Sequence, residues 1–345
     1  MNVIKSVLRL NNVNREDVQN FIKIWSLNDD FFPCKDIKIS EIKKGEVLIE
    51  IFYSQDIFDK SITQFIAILF AEIPFIKHFG DVTFVDLELP TEVYDWFGGP
   101  KFGVEEIIKR FGVKNYPLLM AIIKPSLKTN LIQRKEKIKA VISGGFHSIK
   151  DDEMLGDVSD LKLKNRIELA KEYGKYIPVL NLDTVEDYKK YLGSGESKKI
   201  GMVLINASNM GFPLVKSVRD TSNVPLCSHM AMQGTFAKNF SAKMFAKLHR
   251  LFGCDSFIVP IGGTDYYNLS KEEEKEMMDE FTKELPIKKT LPILVGGASP
   301  KNIVEIVEPY KKIGIPFGVA FGTFIFTAGT DPYENCKFIV EKLEN

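Results

Sequence analysis

The stretch that organises the chain is residues 143–153, SGGFHSIKDDE. It begins as an apolar run broken by two glycines and ends in a lysine followed by three carboxylates, which is typical of a buried strand that presents a polar cluster at its C-terminal end. Because side chains alternate along a strand, Lys150 and Asp152 are predicted to share one face, and a turn after the strand would bring Glu153 to the same place. Two carboxylates suit a hard cation such as Mg²⁺.

The lysine of this cluster is an unusual neighbour for a metal ion. Addition of CO₂ to Lys150 would convert the ammonium into an anionic carbamate and supply a third oxygen ligand. The alternative interpretation is a solvated strand end that carries an ordinary ion pair between neighbouring residues.

Length and composition limit the possible classes of protein. The chain has 345 residues, with 46 basic and 46 acidic side chains, which predicts two domains and no net charge for binding nucleic acid or an anionic membrane. Its four cysteines are far apart and lack metal-ligand spacing, so we expect free thiols in a reducing compartment. The N-terminus lacks the apolar core of a signal peptide, and no apolar run is long enough to span a membrane. The sequence therefore predicts a cytoplasmic protein.

Residues 1–112 are predicted to form a smaller α+β domain. Three strands and two helices are expected, with both helices packed on one face of an antiparallel sheet. The predicted strands are 3–10, 46–53 and 81–89, and the predicted helices are 15–25 and 61–71.

Residues 113–345 are predicted to form a (β/α)₈ TIM barrel, which makes the chain an α/β protein. Short, continuous apolar runs alternate here with segments of helical periodicity, as expected for buried parallel strands. The eight predicted strands are 118–124, 145–150, 177–182, 202–206, 224–229, 255–260, 291–297 and 317–322.

The active site of such a barrel lies at the C-terminal ends of its strands. The predicted strands end in polar residues at five consecutive positions, which favours one functional mouth. Taken singly, Asn181 and Asn206 are compatible with simple turns, and His229 with a core histidine. The polar residues at these ends are Lys124, Lys150 with Asp152 and Glu153, Asn181, Asn206 and His229.

Glycines end the last two predicted strands. Gly296, Gly297 and Gly322 would leave backbone N–H groups open, and a helix predicted to begin with Ser299 as its N-cap would add its dipole. This arrangement predicts a phosphorylated small-molecule substrate, and tight turns are the alternative explanation of the glycines.

Residues 144–153 resemble the metal-site motif of the ribulose-bisphosphate carboxylase (RuBisCO) superfamily. The resemblance implies that Lys150 is carbamylated to N6-carboxylysine, with CO₂ as activator, and that it binds one Mg²⁺ together with Asp152 and Glu153. Segments 98–103 (GGPKFG), 122–125 (IIKP) and 229–231 (HMA), and the glycines at the last two strands, also resemble family motifs. Membership implies a homodimer in which each N-terminal domain reaches the partner's barrel mouth.

Differences from the carboxylase motifs predict whether the chain resembles the carboxylases or the other members of the RuBisCO superfamily. The carboxylases have a lysine where this chain has Ser126 and an arginine where it has Met230. Asp265 falls near the place of their mobile lysine. CO₂ fixation is therefore expected to be lost. The chain resembles the RuBisCO-like proteins (form IV), and residues 99–104 are most similar to the 2,3-diketo-5-methylthiopentyl-1-phosphate enolases of methionine salvage. Those enolases carry Gly-Gly-Gly where this chain has 320–322, AFG, and the ring of Phe321 is expected to crowd a phosphate.

The resemblance implies a Mg²⁺-dependent enolisation or tautomerisation of a phosphorylated ketone. By analogy Lys101 would be the base and Lys124 would polarise or reprotonate the substrate. His229 would contact the substrate or its phosphate, and Gly296, Gly297 and Gly322 would form the phosphate cradle. Two alternatives remain open: an isomerase or decarboxylase acting on another sugar phosphate through the same enediolate, and a non-catalytic ligand-binding barrel.

Overall fold

The computed structural model describes residues 3–26, 34–70, 72–77, 79–158, 161–327 and 329–344. An antiparallel sheet with helices precedes an eight-stranded parallel barrel, which confirms the predicted fold class. The division at residues 112 and 113 stays a prediction.

The N-terminal sheet has four strands in the order β2-β3-β1-β4. Three of them confirm the predicted strands. Strand β2 was not predicted, because it is an edge strand that leaves most of its side chains exposed, so charged residues dominate its sequence. The strands are β1 (Val3–Asn11), β2 (Cys34–Lys43), β3 (Glu46–Ser54) and β4 (Asp81–Glu88).

The barrel contains eight strands that overlap the eight predicted runs, although β7 shares only Ile177 with the predicted strand 177–182. Its sheet order is β7-β6-β5-β12-β11-β10-β9-β8, and a parallel bridge between Val179 and Leu204 joins the two outer strands. Apolar side chains such as Met120, Ile258 and Ile293 fill the interior. The strands are β5 (Leu118–Ile122), β6 (Ser148–Lys150), β7 (Tyr176–Ile177), β8 (Val203–Ile205), β9 (Leu226–Ser228), β10 (Ser256–Pro260), β11 (Leu291–Val295) and β12 (Gly318–Phe321).

The helices surround the barrel and cover the N-terminal sheet. Helices α1 and α2 confirm the two helices predicted in the N-terminal region. The helices are α1 (Arg15–Ser26), α2 (Ile62–Phe70), α3 (Thr91–Phe97), α4 (Gly103–Phe111), α5 (Leu131–Ser143), α6 (Leu163–Tyr173), α7 (Val185–Leu192), α8 (Ala207–Met210), α9 (Phe212–Thr221), α10 (Gln233–Phe236), α11 (Ala242–Leu251), α12 (Lys271–Thr282), α13 (Ile303–Ile313) and α14 (Pro332–Glu344).

The floor of the barrel, at the N-terminal ends of its strands, is closed by α4. Ile107 and Phe111 of this helix belong to the same apolar cluster as the barrel interior. Asp255, just before β10, accepts hydrogen bonds from the backbone N–H groups of Phe102 (2.6 Å) and Gly103 (2.9 Å). The segment that enters α4 is therefore fixed to the floor, and the opposite end of the barrel stays open.

Two expectations from composition can be compared with the structure. Cys227, Cys254 and Cys336 are buried free thiols, as predicted. Among the residues that the structure describes, no helix has the length and apolarity needed to cross a lipid bilayer.

Candidate active site

The end of strand β6 and the two residues after it place Lys150, Asp151 and Asp152 on alternating faces. The buried carboxylate of Asp151 points outward, where it pairs with Arg134 of α5 and with Arg166 of α6 (2.7 Å). It also accepts a hydrogen bond from the hydroxyl of Tyr176 at 2.7 Å. Asp151 therefore fixes two helices to the barrel wall, and its neighbours Lys150 and Asp152 are turned toward the barrel axis.

Lys150 is almost fully buried at the end of β6, with 1% of the residue exposed. Its Nζ donates a hydrogen bond to the carbonyl of Asp151 at 2.9 Å and lies 3.8 Å from Oε2 of Glu153. Burial lowers the pKa of Lys150, because the charged ammonium loses its hydration. Burial therefore favours the neutral amine, which is the form that adds to CO₂.

Lys124 and Asp152 meet across the mouth. Lys124 follows β5, and its Nζ contacts Oδ2 of Asp152. Burial on its own would raise the pKa of Asp152, but the hydrogen bond and charge of Lys124 outweigh this effect and hold the pKa below its usual value. Asp152 is thus an ionised carboxylate inside the barrel mouth.

Glu153 is positioned through its backbone by the two asparagines at the next strand ends. Asn181 donates a hydrogen bond to the Glu153 carbonyl at 3.0 Å, and Asn206 donates to the same carbonyl at 3.2 Å and to Oδ1 of Asn181 at 2.7 Å. The side chain of Glu153 reaches toward His229, with 3.4 Å between Oε2 and Nε2. Burial lowers the pKa of His229 to about 3, so the ring is neutral near pH 7.

A cavity of about 360 Å³ connects Lys124, Glu153 and His229 with the three glycines at the last two strands. Gly296 and Gly297 have φ angles of +96° and +81°, which favour glycine. Among the described residues, the backbone N–H groups of Gly296, Gly297 and Gly322 have no hydrogen-bond acceptor. The cavity wall includes Lys124, Glu153, His229, Tyr267, Gly296, Gly297, Ser299, Gly322 and Phe324.

The structure places Lys101 apart from the other predicted site residues of the same chain, and its role as a base stays a prediction. Its Nζ donates to the carbonyls of Asp220 (3.0 Å) and Ser222 (2.6 Å), which lie on the segment that enters β9. That segment, like Asp255, belongs to the floor of the barrel. The Gly-Pro-Lys-Phe-Gly motif thus fixes the linker to the floor.

The structure corrects two smaller expectations at the last strands. Helix α13 begins at Ile303 with Asn302 at the N-cap, and Ser299 starts a preceding turn in which its backbone N–H donates to Oδ1 of Asn302 at 2.8 Å. The ring of Phe321 is fully buried and packs on Phe146, with ring centroids 5.6 Å apart, so it does not crowd the cavity.

The oxygen ligands at the barrel mouth fit a divalent cation once Lys150 carries a carbamate. No group of three His, Cys, Asp or Glu residues suited to a metal ion occurs in the described parts of the chain. Asp152 and Glu153 supply two carboxylates, and the nearest further group is the Lys150 amine beside Glu153. A carbamate on Lys150 would complete a set of three oxygen ligands, so the residues fit Mg²⁺ in that form.

Sequence reasoning missed Tyr267, on the loop between β10 and α12. Its ring covers Gly296 so closely that an added Cβ at this glycine would lie 2.2 Å from the tyrosine Cε2. Burial raises the pKa of Tyr267 to about 12, so its hydroxyl keeps its proton. The available signal was the Tyr266-Tyr267 pair in a loop of glycines and polar residues, but the sequence alone does not tell which way such rings point.

Comparison with known proteins relates this geometry to a family. No family model matches the chain. The 2,3-diketo-5-methylthiopentyl-1-phosphate enolase of Bacillus cytotoxicus is 26% identical over 255 residues, 67% of this chain and 60% of that protein. The ribulose bisphosphate carboxylase-like protein of Chlorobaculum tepidum is 28% identical over 279 residues, 76% of this chain and 63% of that protein. The chain resembles RuBisCO-like proteins in sequence. The match spans less than two thirds of the length of either relative.

Solved structures show that the fold is that of RuBisCO and RuBisCO-like proteins. A RuBisCO-like protein (MtnW) from Alicyclobacillus acidocaldarius matches with a TM-score of 0.79 and 20% identity over 99% of this chain and 93% of that chain. A RuBisCO-like protein from Rhodopseudomonas palustris matches with a TM-score of 0.82 and 19% identity, over 100% of this chain and 98% of that chain. The dimeric archaeal RuBisCO from Hyperthermus butylicus matches with a TM-score of 0.83 and 18% identity, over 99% of this chain and 90% of that chain.

Proposed function

We propose that the protein is a RuBisCO-like enolase that catalyses Mg²⁺-dependent enolisation of a phosphorylated ketone without fixing CO₂. The observation that carries this proposal is the convergence of Lys124, Lys150, Asp152 and Glu153 at one barrel mouth, beside a glycine-lined cavity with open backbone N–H groups. Carboxylates and an amine on one side and N–H donors on the other match a substrate with a carbonyl next to a phosphate.

Lys150, as N6-carboxylysine, would hold one Mg²⁺ together with Asp152 and Glu153. The neutral Nζ of Lys150 attacks the carbon of CO₂ and loses one proton, which makes CO₂ an activator. When bound, Mg²⁺ supplies Lewis acidity that stabilises negative charge on the substrate's carbonyl oxygen. Asn181 and Asn206 keep Glu153 in place through its backbone carbonyl.

Lys124 takes the role of base in this proposal. A Cβ built on Gly322 would lie 3.9 Å from Cε of Lys124, so the lysine stands beside the proposed phosphate cradle. In its unprotonated form Lys124 removes a proton from the carbon that carries the phosphate. The bonding pair forms a carbon–carbon double bond, and the carbonyl oxygen takes up a proton, so the reaction is a tautomerisation with no net oxidation.

His229, Gly296, Gly297 and Gly322 bind the substrate in this proposal. The neutral ring of His229 lies next to Glu153 and lines the same cavity as the glycines. The N–H groups of the three glycines face the phosphate oxygens. Because His229 is uncharged, it orients the ketone by a hydrogen bond rather than by an ion pair.

The proposed substrate is 2,3-diketo-5-methylthiopentyl-1-phosphate, an intermediate of methionine salvage. Its support is the sequence match to enolases of that name. The test is incorporation of solvent deuterium and the change in ultraviolet absorbance, measured with and without Mg²⁺ and bicarbonate. Enol formation that requires both additives is the expected result. No deuterium exchange in protein that binds Mg²⁺ would exclude this substrate.

A second candidate is an isomerase or decarboxylase that uses the same proton abstraction on another sugar phosphate. The observation that favours it is the segment 320–322 at the end of β12, which reads AFG where the enolases carry Gly-Gly-Gly. Deuterium exchange on other phosphorylated ketoses, with none on the methionine-salvage compound, would select this candidate.

We also propose that the protein is a homodimer. One protein of the same fold, the archaeal RuBisCO from Hyperthermus butylicus, is described as dimeric. Sedimentation at micromolar concentration should give twice the chain mass of 39.2 kDa. A single species at the chain mass would contradict the dimer.

A further inference from the structure

The loop after β5 presents Lys124 to the cavity of about 360 Å³, here called the substrate cavity, and side chains of α5 hold this loop. Carbonyl groups beyond the end of a strand lack ladder partners and need other donors. Arg134 of α5 donates to the carbonyl of Ser126 at 3.0 Å. Lys137, also on α5, donates from Nζ to the carbonyl of Lys124 at 2.9 Å. The backbone of the proposed base is therefore tied directly to this helix.

The ammonium group of Lys137 also contacts the segment that follows β12. Its Nζ lies 4.2 Å from the ring centroid of Phe326, which is a cation–π distance. Phe326 comes four residues after Gly322 of the proposed phosphate cradle. The segment between them is held by Asn335, whose amide donates to the carbonyl of Phe324 at 3.2 Å. Lys137 thus joins the loop of the base to the loop of the cradle.

Lys137 occupies this position without an acidic partner. The residue is half-buried, and burial, together with the charge of Arg134, lowers the pKa of its ammonium group. None of the described acidic groups offsets this effect. The carbonyl of Lys124 and the ring of Phe326 are the groups that replace the hydration that Lys137 loses.

The two loops that Lys137 joins meet across the substrate cavity. Lys124 and Gly322 both line it, and a Cβ built on Gly322 would lie 3.9 Å from Cε of Lys124. In the proposed reaction the base removes a proton from the carbon that carries the phosphate. The separation between the lysine and the cradle therefore decides whether that carbon lies within reach of the amine, and a displacement of about 1 Å can cost about a hundredfold in rate.

We infer that Lys137 is a positioning residue for the reaction, which sets the distance between Lys124 and the phosphate cradle by binding the loop of each. Lys137 is not one of the described residues that line the substrate cavity, so it acts through Lys124 rather than on the substrate. This inference rests on the proposed function, because it assumes that Lys124 is the base and that the glycines bind the phosphate.

Three variants isolate this role. Lys137→Met keeps a side chain of similar length and removes both contacts. Lys137→Arg keeps a cation that can donate to a carbonyl and stack on an aromatic ring. Lys135→Met is the matched control, since Lys135 lies on the same helix but forms an ion pair at 2.7 Å with Glu172, and both of these side chains are partly exposed.

The experiment measures deuterium exchange of the proposed substrate, which gives kcat and KM, and the calorimetric affinity for inorganic phosphate. Lys137→Met should lower kcat about tenfold to hundredfold. Its KM and phosphate affinity should stay within about threefold of the wild type, because the N–H groups of the glycines are unchanged. Lys137→Arg should recover kcat to within about threefold of the wild type, and Lys135→Met should match the wild type.

A double variant separates positioning from a general structural role. If Lys137 acts through Lys124, adding Lys137→Met to Lys124→Met should leave the residual exchange rate unchanged within about twofold. Losses that multiply in the double variant would overturn the inference. So would a normal kcat in Lys137→Met, or a Lys137→Arg enzyme as slow as Lys137→Met.

A separate measurement applies if the wild type exchanges no deuterium with any phosphorylated ketone, in which case the proposed function fails. A short pulse of acetic anhydride, followed by mass spectrometry of the peptides, gives the acetylation rate of the Lys124 amine. A rate that changes at least about threefold in Lys137→Met and stays at the wild-type value in Lys135→Met supports the positioning of Lys124 by Lys137. Any other pattern overturns it.

Discussion

The two ends of the barrel contain similar charged residues with opposite surroundings. At the floor, backbone groups satisfy both Lys101, which donates to the carbonyls of Asp220 and Ser222, and Asp255, which accepts from Phe102, Gly103 and Leu226. At the mouth, Lys124 contacts Asp152, and Lys150 lies beside Glu153. Lys124 and Glu153 also line an open cavity. Charged side chains bound by backbone groups have a structural role, and charged side chains that face one another beside a cavity are suited to catalysis. The partners of a lysine or aspartate therefore indicate its role better than its residue type does.

The largest effect is expected from Lys150→Ala, which removes the proposed carbamate ligand. Losing the metal site should lower deuterium exchange to less than about a thousandth of the wild-type rate, since metal stabilisation contributes several kcal/mol. Lys175→Ala, at the start of the next strand, is the matched control and should remain active. An active Lys150→Ala enzyme would refute the carbamate.

Lys124→Met should be the next most damaging change to activity. It keeps the length of the side chain but removes the proposed base, so kcat should fall by about a hundredfold to ten-thousandfold. Mg²⁺ binding, followed by calorimetry, should persist because Asp152 and Glu153 are unchanged. A kcat within threefold of the wild type would exclude Lys124 as the base.

At the floor, Asp255→Ala should affect stability rather than chemistry. The buried carboxylate accepts three backbone N–H groups, and leaving them without partners should cost about 3 kcal/mol or more in the free energy of unfolding. Urea denaturation measures this loss, and Asp255→Asn, which keeps an acceptor oxygen, should lose less. An Asp255→Ala variant as stable as the wild type would contradict the structural role of the charged residues at the floor.

His147 gives the floor a pH-dependent stability. Its Nδ1 accepts a hydrogen bond from the backbone N–H of Leu119 at 3.0 Å, which requires a neutral ring. Burial, together with the charge of Lys175, lowers the pKa of His147 in the folded protein. The stabilisation is therefore complete above about pH 6.5, the usual value in an unfolded chain, and is lost as the pH falls through the folded-state pKa.

The measurement compares the unfolding free energies of wild type and His147→Asn between pH 7.5 and pH 5. The asparagine keeps an acceptor near the position of Nδ1 and does not titrate. Wild type should lose about 1 kcal/mol more than the variant over this range. Parallel pH profiles for the two proteins would contradict this role of His147.

The smallest effect is expected from Lys101→Met. The lysine is exposed and its Nζ donates to backbone carbonyls of the floor, so kcat should stay within about twofold and stability within about 1 kcal/mol of the wild type. This variant distinguishes the floor from the mouth directly, because the resemblance of the motif around Lys101 to the enolases predicts a catalytic base and hence a large loss of activity. A hundredfold loss of kcat in a normally folded variant would show that Lys101 takes part in catalysis.

The sequence was sufficient for features set by local pattern. The apolar runs located all eight barrel strands, and alternation along β6 placed Lys150 and Asp152 on one face. Features decided by contacts between distant segments were missed. Lys101 is held at the floor by Asp220 and Ser222, more than a hundred residues away in the chain, and Tyr267 is oriented by its packing on Gly296. Neither contact leaves a periodic signal in the sequence.

The most direct test of the proposed metal site is ¹³C nuclear magnetic resonance of the protein equilibrated with ¹³C-bicarbonate, with and without Mg²⁺. The account predicts a protein-bound carbamate signal that Mg²⁺ strengthens and that is absent from Lys150→Ala. Mg²⁺ binding without any carbamate signal, or a signal that persists in Lys150→Ala, would contradict the assignment of Lys150, Asp152 and Glu153 as the metal site.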